Sequence, residues 1–289
     1  MAEIKDFKCT YDNSAGITEE ITEKLSLKFP DAYLYHDTMV KLSLALKEHD
    51  DAVFCEMPFC HTVEGEAMGG IITYGDGKAG PRAKECVCKS LEEVLELPRI
   101  DFSKGRIKEV LLACQKLREQ GERVVLEISG PFTILNILVD TKHVFRALRK
   151  NPELMQQVFD RISSELLEYV REAKIHGVEF ISYADSAASV SILGPKVMEQ
   201  FTNMFTYGFL KELEKETNEK CMILLCPKTT LALIGTEKAF FEDIELEEVM
   251  RYSEACISML GKTAFAGQMC VKNVGYKLEN KKFKKVVLV

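Results

Sequence analysis

The chain has 289 residues, of which 46% are hydrophobic and 29% are charged, a composition typical of an ordinary globular protein. Its formal net charge of −7 and its pI near 5.5 argue against a general nucleic-acid-binding protein, which usually carries a basic face. No segment approaches the ~20 apolar residues of a membrane-spanning helix and the N-terminus has no signal-peptide core, so we expect a cytoplasmic protein without a membrane partner.

The first 150 residues alternate predicted helices and strands. Residues 1–30 are poorly defined, apart from a short helix after Thr18. The elements that follow are a helix over 31–48, a strand over 52–59, a hairpin over 71–81 with 75–77 at its tip, helices over 90–97 and 105–120, a strand over 124–128, and helices over 133–139 and 142–150.

The second half of the chain continues the same alternation. Its elements are a helix over 152–176, a strand over 178–183, a helix from 196–198 to about 215, a strand over 221–226, a helix opening at 227–230, a strand over 239–244, a helix over 246–259, a strand over 262–270 and a last apolar run over 284–289.

Single strands alternating with helices, without a break in composition, predict one α/β domain over residues 1–289 with a parallel sheet. Six strands and the terminal run fit a TIM (β/α)₈-type barrel with one weak strand better than an open six-stranded sheet. The first strand is expected to be short or incomplete. Either residues 7–10 supply it, or the barrel is open there and a partner subunit covers the opening.

Asp185 is the first candidate for a functional residue. It directly follows the apolar run 178–183, which predicts a buried strand, and the carboxyl ends of parallel strands face the active site in α/β proteins. The alternative is that Asp185 only caps or tightens the loop that leads to Pro195. No Walker loop, GxGxxG, HExxH or GxSxG motif points to another kind of site.

The ten cysteines are expected to be reduced thiols, because disulfides are rare in cytoplasmic proteins. No pair forms a CxxC motif, and Cys86-Val87-Cys88 alone is a weak metal signal. Most of the cysteines are therefore expected to be small buried hydrophobic residues.

Four segments near predicted strand ends resemble the methylcobamide:coenzyme M methyltransferases. Residues 62–69, T-V-E-G-E-A-M-G, resemble the family's T-V-E-A-E-A-x-G, and 130–133 match its G-P-F-T. Asp185 with Ser189 and Gly194-Pro195 resembles the end of its fourth strand, and 226–230, C-P-K-T-T, resemble its H-x-C-G-x-T-T. Their order and spacing over residues 30–270 make the chain similar to the uroporphyrinogen decarboxylase superfamily, whose fold is a TIM barrel.

The resemblance implies roles for particular residues. Asp185 and Glu64 are expected to be catalytic, and Gly130, Phe132 and Ser189 to bind the cofactor. For Glu64 there is a simpler alternative, a negative charge at the start of the following helix.

The resemblance also implies zinc at the mouth of the barrel. Zinc binds a substrate thiol as the thiolate, which then attacks the methyl group of methylcobalamin. Cys226 stands at the motif's cysteine, Cys270 is the candidate for the later cysteine, and His61 is the candidate third ligand. Leu224 stands where the motif has histidine, and leucine cannot bind zinc.

Other ligands stay open at this point, and so does the number of metal ligands. Cys60, Glu56 and Glu127 lie near predicted strand ends and could replace the missing histidine, while Cys226 could equally be a buried core thiol. The cobalamin is expected on a separate corrinoid protein, because the chain has no D-x-H-x-x-G motif.

Two other functions compete with corrinoid-dependent methyl transfer. A decarboxylase of the superfamily holds its substrate's carboxylates with N-terminal arginines, but the first 60 residues contain no arginine. Its tyrosine falls near Ile137, and its C-terminal histidine has no counterpart after His176. The second competitor is a non-catalytic binding barrel that has lost the zinc histidine, as Leu224 suggests.

Overall fold

The structure is a computed structural model that describes residues 3–9, 17–76 and 79–289. Part of the predicted hairpin tip 75–77 and part of the first-strand candidate 7–10 lie outside these residues. Residues 3–9 have no regular secondary structure, so the described part of that candidate forms no strand. In the described ranges no helix is long and apolar enough to cross a membrane.

The strands follow the predicted positions but several of them are short. They are β1 (Cys55–Met57), β2 (Ile71–Thr73), β3 (Arg82–Glu85), β4 (Val124–Ser129), β5 (Phe180–Ala184), β6 (Met222–Leu225), β7 (Ala239–Glu245), β8 (Phe265–Ala266) and β9 (Lys282–Leu288). β2 and β3 pair antiparallel, which confirms the predicted hairpin.

The helices separate these strands along the chain. They are α1 (Glu19–Lys24), α2 (His36–His49), α3 (Val63–Ala67), α4 (Leu91–Glu96), α5 (Gly105–Glu119), α6 (Pro131–Leu138), α7 (Thr141–Lys150), α8 (Pro152–Ile175), α9 (Val190–Phe201), α10 (Tyr207–Glu214), α11 (Pro227–Gly235) and α12 (Tyr252–Ser258). A 3₁₀ turn precedes α2, and a π-helical segment, Thr202–Thr206, joins α9 to α10.

The main sheet of the described chain has seven strands in the order β1-β4-β5-β6-β8-β9-β7. β1, β4, β5, β6 and β8 are parallel to one another, as the alternation of strands and helices predicts. β9 runs antiparallel to both β8 and β7. The parallel part carries the helices and positions the loops at its carboxyl edge.

The two C-terminal strands depart from the predicted parallel sheet. β8 lies beside β6, and β7 pairs antiparallel with β9 instead of joining the parallel strands. Opposite charges face each other across this pair: Lys284 Nζ lies 2.6 Å from Asp243 Oδ1, and Lys285 Nζ lies 2.8 Å from Glu242 Oε1. Such cross-strand pairs stabilise one register of an antiparallel ribbon.

The helix predicted over 246–259 begins only at Tyr252. The backbone N–H of Leu246 donates to Lys281, that of Tyr252 donates to Tyr276, and the N–H of Leu278 donates to Met250. These hydrogen bonds tie the first half of the predicted helix to the loop before β9. Because the backbone groups are used in this way, they cannot form a helical turn.

The two faces of the parallel sheet pack against different groups. Met57, Leu126 and Ile181 face the surrounding helices, whereas Val125 and Phe180 belong to an inner core. Side chains two residues apart on a strand share a face. The same inner side therefore also carries Glu127 and Ser182, which lie two residues after Val125 and Phe180. Glu56 points to this side as well, because it pairs in register with Val125.

Candidate functional site at the carboxyl edge of the sheet

Every candidate site residue lies at or just beyond the carboxyl end of a parallel strand. His61 follows β1, Gly130 follows β4, Asp185 follows β5, Cys226 follows β6 and Cys270 follows β8. These residues follow five different parallel strands and do not converge on one point. They divide into a capping group, an inner polar cluster and a buried arginine cluster.

Asp185 joins two neighbouring strand ends. Its Oδ2 accepts a hydrogen bond from the N–H of Phe132 at 2.9 Å, and its Oδ1 accepts from the N–H and the hydroxyl of Thr133 at 2.9 and 2.7 Å. Burial raises the pKa of Asp185 to about 6, although these hydrogen bonds act to lower it. These contacts cap the start of α6, whereas the alternative named above concerned the loop that leads to Pro195. A catalytic role for Asp185 stays a prediction.

Gly130, Phe132 and Ser189 contribute to the same framework. A Cβ on Gly130 would lie 2.3 Å from the Cβ of Asp185, so only glycine permits this approach. The Phe132 ring packs edge-on against Phe201 with centroids 4.8 Å apart, and the Ser189 hydroxyl lies 2.9 Å from that of Ser191. These contacts order the starts of α6 and α9, and binding of a cofactor by the three residues stays a prediction.

Glu64 is buried behind the strand ends, with 1% of its surface exposed. Its Oε1 accepts a hydrogen bond from the N–H of Ser129 at 2.7 Å, while Oε2 has no hydrogen-bond partner among the described residues. Burial raises the pKa of Glu64. The unpartnered oxygen keeps a catalytic role for Glu64 open as a prediction.

Cys226 directly follows β6, and Cys270 lies in the loop after the neighbouring strand β8. Burial raises the pKa of both thiols, that of Cys270 to about 12, and the adjacent Cys226 adds to the shift of Cys270. A low-dielectric environment of this kind favours neutral thiols over thiolates. Both cysteines are only partly buried, and a ligand role for them stays a prediction.

The third zinc ligand is missing from this pair. Leu224, at the place of the motif's histidine, is buried in the inner core. His61 has its Nε2 3.9 Å from Glu127 Oε1. Within residues 3–9, 17–76 and 79–289 no three His, Cys, Asp or Glu side chains are grouped so that they could hold a metal ion. The donors present therefore do not fit the zinc site that the resemblance implies.

An inner polar cluster, formed by Glu56, Glu127, Lys272 and His61, lies on the inner side of the sheet. Lys272 Nζ is 2.8 Å from Glu127 Oε2 and 4.0 Å from Glu56 Oε2. Burial acts to raise the pKa of Glu127, but the charges of Lys272 and His61 hold it below its ordinary value. Three of these residues were named from the sequence as alternative ligands, whereas Lys272 was missed.

A buried arginine cluster lies beside β1 on the helix side. Arg106 donates from Nε to Glu66 Oε2 at 2.6 Å, from Nη2 to Thr62 Oγ1 at 2.6 Å and from Nη1 to Cys60 Sγ at 3.0 Å. The Tyr74 hydroxyl donates to the other Glu66 oxygen at 2.5 Å. No pattern in the sequence points to Arg106, which lies in the first turn of an amphipathic helix, α5.

An open cavity of about 360 Å³ adjoins this cluster at the carboxyl edge. Its walls combine the loop after β1, the start of α6 and the β2–β3 hairpin, and its polar lining residues are Cys60, His61, Thr62, Arg82, Thr133 and Asn136. The volume is in the range of small-molecule sites, roughly 300–1,000 Å³. Of the predicted site residues, His61 lines this cavity.

Glu56 makes a pH-dependent contribution to stability that can be measured. Burial raises its pKa from 4.5 to about 7, so the folded protein holds its proton where the unfolded chain has released it. The contribution of Glu56 is fully present below pH 4.5 and is lost as the pH rises through 7. Between these two pH values Glu56 lowers the unfolding free energy by about 1.4 kcal/mol for each pH unit of increase. Replacing Glu56 with Gln should remove this part of the pH dependence.

Denaturant titrations of the wild type and Glu56→Gln at pH 5 and 7.5 test this expectation. Glu248→Gln, at an exposed position, is the control and should leave the wild-type slope unchanged. Equal slopes for the wild type and Glu56→Gln would show that the carboxyl group of Glu56 is not desolvated as described.

A parallel α/β sheet with its polar residues and its cavity at the carboxyl edge is the arrangement of a TIM-barrel-type enzyme. The family model for uroporphyrinogen decarboxylase (URO-D) matches residues 15–270. The chain belongs to the uroporphyrinogen decarboxylase family, as the four sequence segments predicted.

Relatives within this family include methylcobamide:CoM methyltransferases. MtaA of Methanosarcina barkeri is 25% identical over 232 residues, which cover 79% of this chain and 67% of that protein. MtbA of Methanosarcina acetivorans is 23% identical over 234 residues, which cover 80% and 68%. A solved structure, a methyltransferase from Methanosarcina mazei, superposes with a TM-score of 0.66 at 24% identity and covers 80% of this chain and 68% of that one. This likeness confirms the predicted fold class, a barrel of the uroporphyrinogen decarboxylase-like kind.

Proposed function

We propose that this chain is a corrinoid-dependent methyltransferase, which exchanges a methyl group between a corrinoid held by a partner protein and a small thiol. The observation that carries the proposal is the match of 232 residues to a methylcobamide:CoM methyltransferase. Two of the four segments that resemble this family contribute Thr62 and Thr133 to the cavity at the carboxyl edge, where TIM-barrel enzymes carry their active sites. Its location in the cytoplasm is part of the same proposal.

The cavity and the inner polar cluster suit the acceptor side of such a reaction. A corrinoid, when bound, supplies the methyl group as an electrophile, and the acceptor sulfur must carry negative charge to attack it. Lys272 places an ammonium group on the inner face of the sheet, where it can stabilise that charge. Glu56, with a pKa of about 7, is suited to take the thiol proton near neutral pH.

Zinc does not enter this reaction scheme, because the donors described do not fit it. The resemblance still predicts zinc bound by Cys226, Cys270 and His61, and metal analysis of the purified protein tests that prediction. Stoichiometric zinc that is lost in Cys226→Ala would restore the zinc-dependent form of the proposal.

A spectroscopic assay tests methyl transfer. The protein is incubated with methylcobalamin, with and without a corrinoid protein, and with a panel of small thiols, while the visible spectrum of the cobalamin is followed. We expect demethylation that requires both the protein and a thiol, and at least a tenfold slower rate for Glu56→Gln, since a general base contributes roughly 10²–10⁴-fold. Demethylation at the rate of the protein-free control with every thiol would contradict the proposal.

A non-catalytic binding barrel is the second candidate function, because buried Leu224 replaces a histidine of the family motif. Such a protein would bind the corrinoid protein without changing the cobalamin spectrum. Gel filtration of the mixture, run beside the spectroscopic assay, separates the two. Porphyrinogen decarboxylation is tested by direct measurement of carbon dioxide release from the porphyrinogen, and none is expected.

A further inference from the structure

Helix α7 carries a row of exposed basic side chains, and its ten residues, TKHVFRALRK, include no acidic one. The exposed basic residues are Lys142, Arg146, Arg149 and Lys150. Their spacing of three, four and eight positions places them on one side of the helix, the basic face of α7. The opposite side, with Val144, Ala147 and Leu148, is buried against the protein.

Most of the charge on the basic face of α7 is not neutralised by the protein itself. Lys142 Nζ lies 2.8 Å from Asp140 Oδ2, but in the ranges that the structure describes Arg146, Arg149 and Lys150 form no ion pair. The lysines of β9 differ, since they pair with carboxylates of β7. The basic face of α7 is therefore a local positive patch on a chain whose net charge is −7.

The contacts of α7 place it beside the candidate site. The ring centroid of Phe145 lies 6.2 Å from that of Phe132, in the first turn of α6, and the Leu148 carbonyl accepts a hydrogen bond from Gln200 Nε2 of α9 at 2.7 Å. Both α6 and α9 begin at the carboxyl edge of the sheet, after β4 and β5. The basic face of α7 thus flanks the edge that carries the cavity.

The length of α8 raises the end of α7 above this edge. α8 has 24 residues and is about 36 Å long, whereas the strand segment 178–184 that follows it spans about 23 Å. The helix connects two parallel strands and returns to β5 through Gly177, so it runs back along the sheet from the carboxyl edge. The start of α8, and with it the end of α7, therefore extends beyond the strand ends.

We propose that the basic face of α7 is the docking surface for the corrinoid protein, which contacts it with an acidic patch of its own. The inference rests on the proposed function and names the surface by which the partner is recognised. A protein that delivers a corrinoid to the cavity must lie over the carboxyl edge, where α7 projects. Complementary charges at such a rim raise the association rate and orient the partner. The acidic pI of the chain, near 5.5, favours a protein partner over a nucleic acid.

Charge reversal at exposed positions tests the docking surface. The α7 variant is Arg146→Glu/Arg149→Glu/Lys150→Glu. The control is Lys215→Glu/Lys220→Glu/Lys262→Glu, which changes the charge equally at exposed residues before β6 and β8, at the opposite edge of the sheet. Methyl transfer to a thiol is measured with a methylated corrinoid protein and with free methylcobalamin. At low ionic strength we expect the α7 variant to raise the KM for the corrinoid protein at least about tenfold. The control should not raise it, and neither variant should alter the rate with free methylcobalamin.

Binding of the corrinoid protein, measured by biolayer interferometry without a thiol, judges the inference independently of methyl transfer. Salt should weaken the binding of the wild type much more than that of the α7 variant. Equal affinities of the wild type and the α7 variant would overturn the inference, and so would α7-dependent binding of anionic lipid vesicles or double-stranded DNA but not of the corrinoid protein. Weaker binding of the α7 variant alone, together with the absence of methyl transfer, would support the docking surface and contradict only the proposed function.

Discussion

Replacing Asp185 with alanine is expected to lower the free energy of unfolding by about 3 kcal/mol, the cost of leaving two or three buried donors unpaired. The carboxylate accepts the N–H groups of Phe132 and Thr133 and the Thr133 hydroxyl, all inside the protein. Alanine leaves the two N–H groups without this acceptor and α6 without a cap, while the Thr133 hydroxyl keeps the Ser186 hydroxyl at 3.1 Å. Equilibrium denaturation with urea measures the loss.

Two matched variants show whether burial is the cause. Asp185→Asn keeps one acceptor oxygen and should lose less stability than Asp185→Ala. Asp140→Ala removes an exposed cap, which accepts the N–H of Lys142 at 2.9 Å, and should cost clearly less than Asp185→Ala. Equal losses for Asp140→Ala and Asp185→Ala would contradict the capping role described for Asp185.

Arg106→Met should have the largest effect on stability, about 3–5 kcal/mol, because it breaks a buried ion pair and leaves one charge without its partner. Arg106 is 6% exposed and donates to Glu66, Thr62 and Cys60. Methionine fills much of the space but provides no donor. Among the described residues, the Glu66 carboxylate then keeps only the hydrogen bond from the Tyr74 hydroxyl.

A double substitution separates the charge from the packing. In Arg106→Met/Glu66→Gln the unpaired carboxylate is gone, so part of the stability should return. Arg99→Met, which removes an arginine with 61% of its side chain exposed, should have a much smaller effect. A stability of Arg106→Met within experimental error of the wild type would mean that the buried arginine cluster does not form.

The α/β architecture could be predicted because it depends on local patterns. Neighbouring residues alone identify a strand from a short apolar run such as 180–184, and a helix from a long amphipathic pattern such as that of α8. Strand pairing depends on residues far apart in the chain. Periodicity therefore could not reveal that β9 lies antiparallel between β7 and β8. It also could not reveal that the backbone of 246–251 forms hydrogen bonds with the loop before β9.

The candidate site was predictable to the same extent. His61, Glu56 and Glu127 were expected near strand ends and do lie together there. Lys272 was not expected, because the path of the loop after β8 decides that its side chain turns inward. Arg106 was missed for a related reason: its partners come from the β1 loop and α3, and no spacing in the sequence reveals that contact.

Transfer of an isotopically labelled methyl group tests the central claim most directly. Trideuteromethyl-cobalamin is incubated with the protein and the panel of thiols, and mass spectrometry follows the label in each thiol. The proposed function predicts a trideuteromethyl thioether of at least one thiol, formed only when the protein is present. Label that stays on the cobalamin with every thiol, in the presence of folded protein and a corrinoid partner, would contradict it.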